Sequence, residues 1–482
     1  MRRRLAATGL ALCLVSACGS RLPDPVLARI DAAQGAGSSR GAGPTGTTPG
    51  EGDPTNPDLL AGPGTTTVGG PAATLAPGQG GPGSGPGGGP GGTTPVVTVP
   101  GGGPCKGGAT DRGVSDKEIK VATMVTDSGP LPGATAGQFR GTAAYFAMIN
   151  AKGGICGRKI TVVEGDDGLD PQRARAEFTR LEPTVFSFVG SLAVADSGYV
   201  DLAKSTGVPY VGVFVDPAGR ALPNVLPRSA ANRINTAPMV YLKKAHPSAT
   251  RMGFLYTDVG GVRANVPGTV AAFKHVGYTF AYGPSGTSAA SPDYTAEVIN
   301  LQRNNVNFLL LFAFEINMEV RMARNMRQQN YQPEVKINSI GYHSDLIPLL
   351  GDVANGWSNY ITYLPVLNED ELATDPALKT FTEWNKRVFP SAQVDLFPVG
   401  GWGSAALFVQ ALEILGPNVT RAGVIDVITN KISTSNGGGL VGTGKPGALL
   451  PCFIMVKVVD KKWVRESPAK GFDCTPAEEI SF

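Results

Sequence analysis

The sequence predicts an α/β protein with two doubly wound α/β lobes, joined by several chain crossings and preceded by a disordered tether over residues 18–104. Two observations carry this prediction. From about residue 119 onward, apolar runs typical of strands alternate with segments of helical spacing. Before that point, residues 35–104 contain 24 Gly, 13 Pro, four charged residues and no aromatic residue. Such a segment cannot bury enough apolar surface to offset its ordering entropy.

The first 17 residues predict a bacterial lipoprotein signal peptide. Three arginines precede the apolar run Leu5–Val15, which is too short to span a bilayer as a helix. The run ends in Val15–Cys18, which resembles a lipobox, in which Cys18 takes the lipid. An ordinary secretory signal with a chance cysteine is the alternative, and twin-arginine export lacks the rest of its motif. We therefore expect a chain held at the extracytoplasmic face of the bacterial cell membrane through its lipid alone.

Four cysteines remain beyond the signal and the lipidation site, namely Cys105, Cys156, Cys452 and Cys474. An even number in an exported chain suggests two disulfides, for which three pairings exist. We favour Cys105–Cys156, which ties the start of the domain to its first strand region, and Cys452–Cys474, which closes a C-terminal hairpin. Free buried thiols are the alternative. Because no CxxC spacing occurs, neither a zinc ribbon nor a thioredoxin-type site is expected.

The alternation begins with an apolar strand at Ile119–Val125 and a helix whose buried face includes Phe139 and Ile149. Asp170 before Pro171 predicts an N-cap followed by a first helical position. Further strands are predicted at 160–163, 185–189 and 208–215, and a second series runs from about 237 to 340. Strands separated by single helices require parallel pairing with right-handed crossovers. A helix at 403–415 and a strand at 453–459 are predicted near the C-terminus.

Four runs of the sequence form a recognisable set. They are Gly137–Gly141, the segment Ile149–Ile160 with its Ile-Asn-Ala-x-Gly-Gly-Ile-x-Gly-Arg signature, Asp166-Asp167 and Asp170-Pro171. This set resembles the type 1 periplasmic-binding-protein family, in particular the branched-chain amino acid and amide receptors of ABC importers. The resemblance covers nearly all of residues 110–465. It implies two lobes joined by three crossings, with a ligand clamped between them by hinge closure.

The resemblance also implies a domain organisation and a function. Lobe 1 is expected at 105–227 plus about 364–450, and lobe 2 at 228–363 plus about 451–482. The expected function is a lipid-anchored, monomeric solute-binding protein that delivers a small ligand to an ABC permease. The alternative is a ligand-sensing or wall-associated receptor of the same fold without a transport partner, because one hinge serves both roles.

Composition and motifs argue against other classes of function. A net charge of +3 on 482 residues argues against a nucleic-acid binder. The three histidines have no metal-binding spacing and no GxSxG elbow occurs, so neither a metal nor catalysis is expected. Gly439–Lys445 resembles a phosphate-binding P-loop, but Pro446 stands in place of the Ser or Thr. We expect no cofactor.

Candidate ligand-binding residues follow the predicted strands, because ligands of such sheets lie outside the carboxyl ends of parallel strands. The resemblance implies that hydroxyls and backbone N–H groups of lobe 1 hold a ligand carboxylate. It implies that an acid and aromatic residues of lobe 2 hold the amino end. The candidates are Ser128, Ser191, Leu192, Phe214 and Asp216 in lobe 1, and Asp258, Phe314, Glu315 and Tyr342 in lobe 2. His343 also follows a strand, and cleft, surface and core roles are all open for it.

Two departures from the family pattern bear on the ligand. Asp216 stands where the family has small residues and a Thr, and like charges at about 4 Å repel by about 1–4 kcal/mol. The acid expected after the last strand of lobe 2 is replaced by Gly341–His343. The sequence therefore predicts a neutral or cationic ligand group with an apolar body, rather than free leucine or valine. Pairing of Asp216 with Arg220 would instead allow an amino acid.

Overall fold

The computed structural model describes residues 105–227, 233–392, 394–447 and 452–481. The predicted signal peptide, the lipidation site Cys18 and the predicted tether lie outside the described residues. None of the helices in these ranges combines the length and the apolar character that a membrane span requires.

The first sheet has five parallel strands, which confirms the pairing predicted from single helical connections. Its order is β2-β1-β3-β4-β5. The strands are β1 (Glu118–Val125), β2 (Lys159–Asp166), β3 (Ser187–Val189), β4 (Tyr210–Val211) and β5 (Val225–Leu226). We call the part of the molecule built on this sheet lobe 1.

The helices that connect these strands are α1 (Gly137–Ala151), α2 (Pro171–Leu181), α3 (Val200–Thr206) and α4 (Pro217–Arg220). The predicted N-cap of α2 is present, because the side chain of Asp170 accepts from the backbone N–H groups of Gln172 and Arg173, both at 2.8 Å. Two free N–H groups of the first turn are thereby satisfied.

The second sheet has seven strands in the order β13-β12-β11-β10-β9-β7-β8, and we call its part of the molecule lobe 2. Its parallel part comprises β7 to β11, and β12 and β13 join it antiparallel. A separate antiparallel pair joins β6 to β14. The bounds are β6 (Arg233–Asn235), β7 (Arg251–Thr257), β8 (Thr279–Thr287), β9 (Phe308–Phe312), β10 (Val335–Asn338), β11 (Trp357–Ile361), β12 (Ile454–Val459), β13 (Lys462–Ser467) and β14 (Glu479–Ser481).

Six α-helices lie between β6 and β11, and the described residues between β11 and β12 form four more. They are α5 (Ala237–Ala245), α6 (Gly260–Arg263), α7 (Val266–His275), α8 (Thr295–Arg303), α9 (Ile316–Gln328), α10 (Leu346–Leu350), α11 (Glu369–Thr374), α12 (Pro376–Val388), α13 (Leu396–Leu415) and α14 (Arg421–Asp426). Strand β11 and helices α10, α11, α12 and α14 were not predicted from the sequence, and α13 begins seven residues before the predicted start at residue 403.

Helix α13 returns to lobe 1, where it packs on α1. A Cβ on Gly141 would stand 1.8 Å from the backbone oxygen of Pro398, and one on Gly401 would stand 2.0 Å from that of Gln138. Real Cβ atoms do not approach so closely, so only glycine allows the two helices this contact. The rings of Phe146 and Phe408 also meet edge-on across the same interface, at 6.2 Å.

The order of the described segments therefore takes the chain between the lobes three times from residue 105 onward. It leaves lobe 1 after β5, returns after β11 to reach α13, and enters lobe 2 again before β12. The expected boundaries at 227/228 and 363/364 fall after β5 and after β11. The third boundary, at about 450/451, lies outside the described residues, and the exact boundaries stay a prediction.

Both disulfides occur in the favoured pairing. Cys105 is bonded to Cys156, which joins the start of lobe 1 to the turn before β2. Cys452 is bonded to Cys474. Because Cys452 precedes β12 and Cys474 follows β13, the second bond closes the antiparallel hairpin that these strands form.

Candidate functional site

A cavity of about 360 Å³, which we call the cleft cavity, lies between the two lobes. Lobe 1 contributes the loop after β1, one residue of α1 and the segment that leads into α13. Lobe 2 contributes the N-terminus of α9 and the loop after β10. Its charged and polar lining residues are Arg140, Glu315, Asn317, His343, Asp345, Ser391 and Asp395. Its size falls within the range of small-molecule sites.

Arg140 supplies the positive charge of the cleft cavity. Its Nε is buried, and no hydrogen-bond partner for this atom exists among the described residues. Its charge lowers the pKa of Asp395 and of His343, although burial is the larger influence on both. A buried N–H group without a partner is uncommon, because its desolvation is not compensated. The guanidinium is therefore placed to bind an anionic group that enters the cavity.

His343 is held in one orientation and is uncharged at neutral pH. Its Nδ1 accepts from the backbone N–H of Asp345 at 3.0 Å, so that the proton of the neutral ring resides on Nε2. Burial, with a smaller effect of Arg140, lowers the pKa of His343 to about 4. The ring therefore offers a neutral N–H donor to the cavity.

Asp395 is the N-cap of α13 and points its second oxygen towards His343. The carboxylate accepts from the backbone N–H of Phe397 at 2.7 Å. Burial raises the pKa of Asp395 to about 6, against the lowering effects of that hydrogen bond and of Arg140. Asp395 is thus ionised at neutral pH and becomes neutral in mild acid.

Glu315 is the carboxylate that lobe 2 contributes to the cavity, and it is one of the predicted ligand-binding residues. It caps α9, accepting from the backbone N–H of Asn317 at 3.0 Å and from its side-chain Nδ2 at 2.7 Å. Burial raises the pKa of Glu315. One turn further, Glu319 is fully buried and accepts from Asn338 Nδ2 at 2.7 Å, and burial raises its pKa to about 8.

The polar candidates of lobe 1 do not line the cleft cavity. Ser128 donates to the carboxylate of Asp166. Ser191 is buried, and its Oγ accepts from the backbone N–H of Met124 at 2.9 Å. Asp216 caps α4, accepting from the backbone N–H of Ala218 at 2.8 Å. All three side chains therefore bind groups of lobe 1 itself.

The apolar candidates of lobe 1 have two different locations. Phe214 is completely buried and packs against Tyr210, with ring centroids 4.4 Å apart, and against Tyr199 at 5.4 Å. The expectation that its ring lines the cleft is corrected, because lobe 1 buries the ring within its aromatic core. Leu192 lines a second cavity, next to the chain crossings.

Three of the candidates in lobe 2 are engaged elsewhere. Asp258 forms an ion pair with Arg263 at 2.5 Å. Phe314 is completely buried, with its ring centroid 5.9 Å from that of Tyr294. Tyr342 is also completely buried, and its hydroxyl accepts from the backbone N–H of Leu367 at 2.8 Å. Of the nine candidate ligand residues, Glu315 is the one that lines the cleft cavity.

The lobes touch directly at Gly260-Gly261. A Cβ on Gly261 would lie 2.8 Å from the backbone oxygen of Val194 in lobe 1, so the close approach requires glycine. Asn265 extends the contact, donating to the backbone oxygen of Val215 at 3.1 Å and accepting from Arg220 at 2.7 Å. The hydrogen bond of Arg220 thus crosses to lobe 2.

Sequence reasoning missed Arg140, Asp345 and Asp395. Arg140 lies inside the Gly137–Gly141 run that carries the family resemblance, and this position was the available signal. Asp395 and Asp345 do not directly follow a predicted strand. They were therefore not selected by the criterion that ligands lie outside the carboxyl ends of parallel strands.

The sequence profile of the periplasmic binding protein family matches residues 118–462. The chain belongs to the periplasmic binding protein family. Among curated relatives, the Leu/Ile/Val-binding protein of Escherichia coli K12 is 26% identical over 238 residues, which are 45% of this chain and 62% of that protein. The alignment thus covers less than two thirds of the length of the Escherichia coli relative.

Solved structures share the fold. A fatty acid ABC transporter substrate-binding protein from Thermomonospora curvata matches with a TM-score of 0.60 and 21% identity, covering 75% of this chain and 94% of that one. A leucine binding protein from Thermotoga maritima matches with a TM-score of 0.57 and 15% identity, covering 72% and 98%. These similarities confirm the predicted type 1 periplasmic-binding fold.

Proposed function

We propose that this protein is the extracytoplasmic solute-binding component of an ABC importer, anchored through a lipid on Cys18. It captures a small ligand in the cleft cavity and delivers it to a permease by opening and closing at the hinge. The observation that carries the proposal is that Arg140 from lobe 1 and Glu315 from lobe 2 line the same cavity. Its support is membership of the family and the names of its relatives, which include a Leu/Ile/Val-binding protein.

The charges of the cleft cavity favour a ligand with an anionic group and a hydrogen-bond donor. Arg140 has a buried N–H without a partner, which suits a carboxylate. Glu315 and Asp395 are acceptors, which suit an ammonium or an O–H group. Asp216, which the sequence predicts to repel a ligand carboxylate, instead caps α4 within lobe 1. Amino acids are therefore the ligand class that we propose.

Calorimetric titration of the full-length protein tests the ligand class. The probes are leucine, isoleucine and valine, together with leucinamide, which has no carboxylate, and 4-methylpentanoate, which has no amino group. We expect an amino acid to bind more tightly than either analogue. Arg140→Gln should weaken amino acid binding by about tenfold or more, since hydrogen bonds to charged groups contribute about 1.5–3 kcal/mol.

Two controls make this test specific. Arg387→Gln removes an exposed arginine that pairs with Glu383 on α12, and it should leave every affinity unchanged. Arg140→Gln should also leave leucinamide binding nearly unchanged. Equal losses for leucine and leucinamide would contradict the assigned role of Arg140, and a wild-type protein that binds none of the probes would contradict the ligand class.

Delivery to a permease needs a separate experiment. Uptake of the radiolabelled ligand is compared between the parent strain, a strain lacking this protein and the complemented strain. We expect uptake to fall on deletion and to return on complementation. Unchanged uptake would favour the alternative of a ligand-sensing receptor without a transport partner.

A further inference from the structure

A second cavity, of about 420 Å³, lies beside the chain crossings and shares no lining residue with the cleft cavity. We call it the hinge cavity. Pro227 lines it just after β5, and Thr362 and Tyr363 line it just after β11. Gly447, in the loop that leads to β12, lines it as well. Segments next to all three crossings thus contribute to its wall.

The lining of the hinge cavity is mainly apolar. Its aliphatic side chains come from the ends of β3 and β4, from α13 and from the loop before β12, and they are Leu192, Val213, Leu396, Val399, Leu407 and Val441. Val213, which lies two residues after β4, is 47% exposed although it is a large aliphatic residue. Among the lining residues that the structure describes, Lys445 carries the one charge and no carboxylate is present.

Tyr363 gives the cavity an unsatisfied donor. The residue is 8% exposed, and its hydroxyl has no hydrogen-bond partner within the described part of the chain. Burial, with smaller contributions from the neighbouring Tyr342 hydroxyl and Asp395 carboxyl group, holds the pKa of this hydroxyl well above its usual range, so the group keeps its proton. A buried hydroxyl without a partner costs free energy unless an acceptor is supplied. The missing partner in this cavity is therefore a hydrogen-bond acceptor.

The Gly-rich loop that resembles a P-loop forms one wall and is fixed to the second crossing. Leu364 donates its backbone N–H to Leu440 at 2.8 Å, and Tyr363 and Val441 form a β-bridge. Ser435 and Gly444 exchange two backbone hydrogen bonds, of 2.8 and 3.0 Å, which close the loop. The loop thus presents Lys445 at the cavity while its backbone is already engaged.

We propose that the hinge cavity binds a medium-chain carboxylate. The hydrocarbon chain lies against the aliphatic lining, where burial of apolar surface stabilises it. The carboxylate accepts from the hydroxyl of Tyr363 and is attracted by the ammonium of Lys445. The cleft cavity does not offer this combination, because its lining includes the carboxyl groups of Glu315, Asp345 and Asp395. The two cavities therefore select different molecules.

Calorimetry with octanoate and 1-octanol tests this proposal on the full-length protein in lipid nanodiscs, with empty nanodiscs as the blank. Octanoate should bind more tightly than 1-octanol by about tenfold, because charge-assisted hydrogen bonds are stronger than neutral ones. Tyr363→Phe removes one hydroxyl and should weaken octanoate binding by about fivefold. Lys445→Gln should also weaken octanoate binding, since it removes the attracting ammonium group. Because Lys445 is exposed, this change should not disturb folding.

Ser404→Trp fills the cavity from α13 and should abolish the binding of both probes. Val240→Trp is the matched control, because Val240 is exposed and does not line the cavity. Thermal unfolding followed by circular dichroism verifies that each variant is folded. If Ser404→Trp does not fold, Tyr363→Phe and Lys445→Gln decide the question, because both are small changes.

Three outcomes would overturn the proposal. They are heats no larger than those of empty nanodiscs, equal affinities for octanoate and 1-octanol, and octanoate binding that Arg140→Gln removes while Tyr363→Phe and Lys445→Gln leave it intact. The last outcome would place octanoate in the cleft cavity. The result is independent of the proposed transport function, because amino acid binding is measured with other probes and depends on other residues.

Discussion

His343 and Asp395 face each other across the cleft, with Nε2 of the histidine in lobe 2 3.7 Å from Oδ2 of the aspartate beside lobe 1. The separation is too long for a hydrogen bond. Burial keeps the histidine neutral, with a pKa of about 4, and raises the pKa of the aspartate to about 6. The pair is therefore not an ion pair at neutral pH, and the charge of the cavity changes as Asp395 titrates.

Asp395→Asn should stabilise the protein above pH 6. The raised pKa of Asp395 means that its favourable contribution is complete below pH 3.8 and is lost as the pH rises through about 6. The side-chain oxygen of the asparagine can still accept from the backbone N–H of Phe397. The asparagine side chain carries no charge, so no charge is buried. At pH 8 we expect a free energy of unfolding higher by about 3 kcal/mol, since one pKa unit corresponds to about 1.4 kcal/mol. Urea titrations at pH 8 and pH 3.5 measure this, and an equal gain at both would contradict it.

Glu319→Gln should remove the loss of stability that ionisation of Glu319 causes as the pH rises. With its pKa raised from 4.5 to about 8, Glu319 contributes most below pH 4.5 and progressively less up to about pH 8. The glutamine oxygen keeps the hydrogen bond from Asn338. Thermal midpoints from pH 5 to pH 8 should fall less steeply in the variant than in the wild type. Glu383→Gln, at an exposed position on α12, is the control and should follow the wild type.

Phe214→Leu tests whether the ring of Phe214 belongs to the aromatic core of lobe 1 or to the ligand site. Because the ring of Phe214 is buried against Tyr199 and Tyr210, its loss should lower the free energy of unfolding by about 1–3 kcal/mol. The affinity for a cleft ligand should not change. Arg140→Gln should behave in the opposite way, since its Nε has no hydrogen bond to lose. A Phe214→Leu protein of normal stability and weakened affinity would place the ring in the cleft.

The two disulfides should contribute unequally to stability. The bonds Cys105–Cys156 and Cys452–Cys474 close loops with sequence separations of 51 and 22. The chain-entropy relation then gives about 4 kcal/mol for the longer loop and about 3 kcal/mol for the shorter one. Paired Cys→Ser substitutions with denaturant unfolding measure both values. A larger loss from opening the shorter loop would show that loop closure entropy does not dominate.

Cys18→Ala should release the protein from the membrane. The lipobox ending at Cys18 is the anchor that the sequence predicts, and a stable lipid anchor needs its acyl chains. Fractionation followed by immunoblotting should find the variant in the soluble fraction and the wild type in the membrane pellet. Retention of the variant in the pellet after a high-salt wash would refute the lipoprotein prediction.

Local patterns were sufficient for most of the fold. Strand β1, the Asp170 cap of α2 and the parallel pairing follow from hydrophobic spacing and helix chemistry within short segments. Helix α12 escaped prediction although it is strongly amphipathic, because its buried face includes only Leu378 and Phe381. The early start of α13 was missed because Pro398, Gly400 and Gly401 lie in its first turns and suggest a loop.

Which of the candidate ligand residues line the cleft cavity could not be predicted from short sequence segments. The rule that ligands lie beyond strand ends pointed to several loops, and one of them contains Glu315, which lines the cleft cavity. Phe214, Phe314 and Tyr342 follow strands too, but their apolar surface is buried more favourably within each lobe. Asp216 precedes a proline, which is the N-cap pattern already used for Asp170, so its role was available from the sequence.

The sequence by itself determined the alternation of strands and helices, the family and the cysteines available for pairing, because these depend on short-range spacing and on residue type. The tertiary structure alone decided which charges share a cavity. Arg140, Glu315, His343 and Asp395 come from four separate segments and meet where the lobes approach. Their environment, and with it the pKa values of His343 and Asp395, arises from burial that no single segment provides.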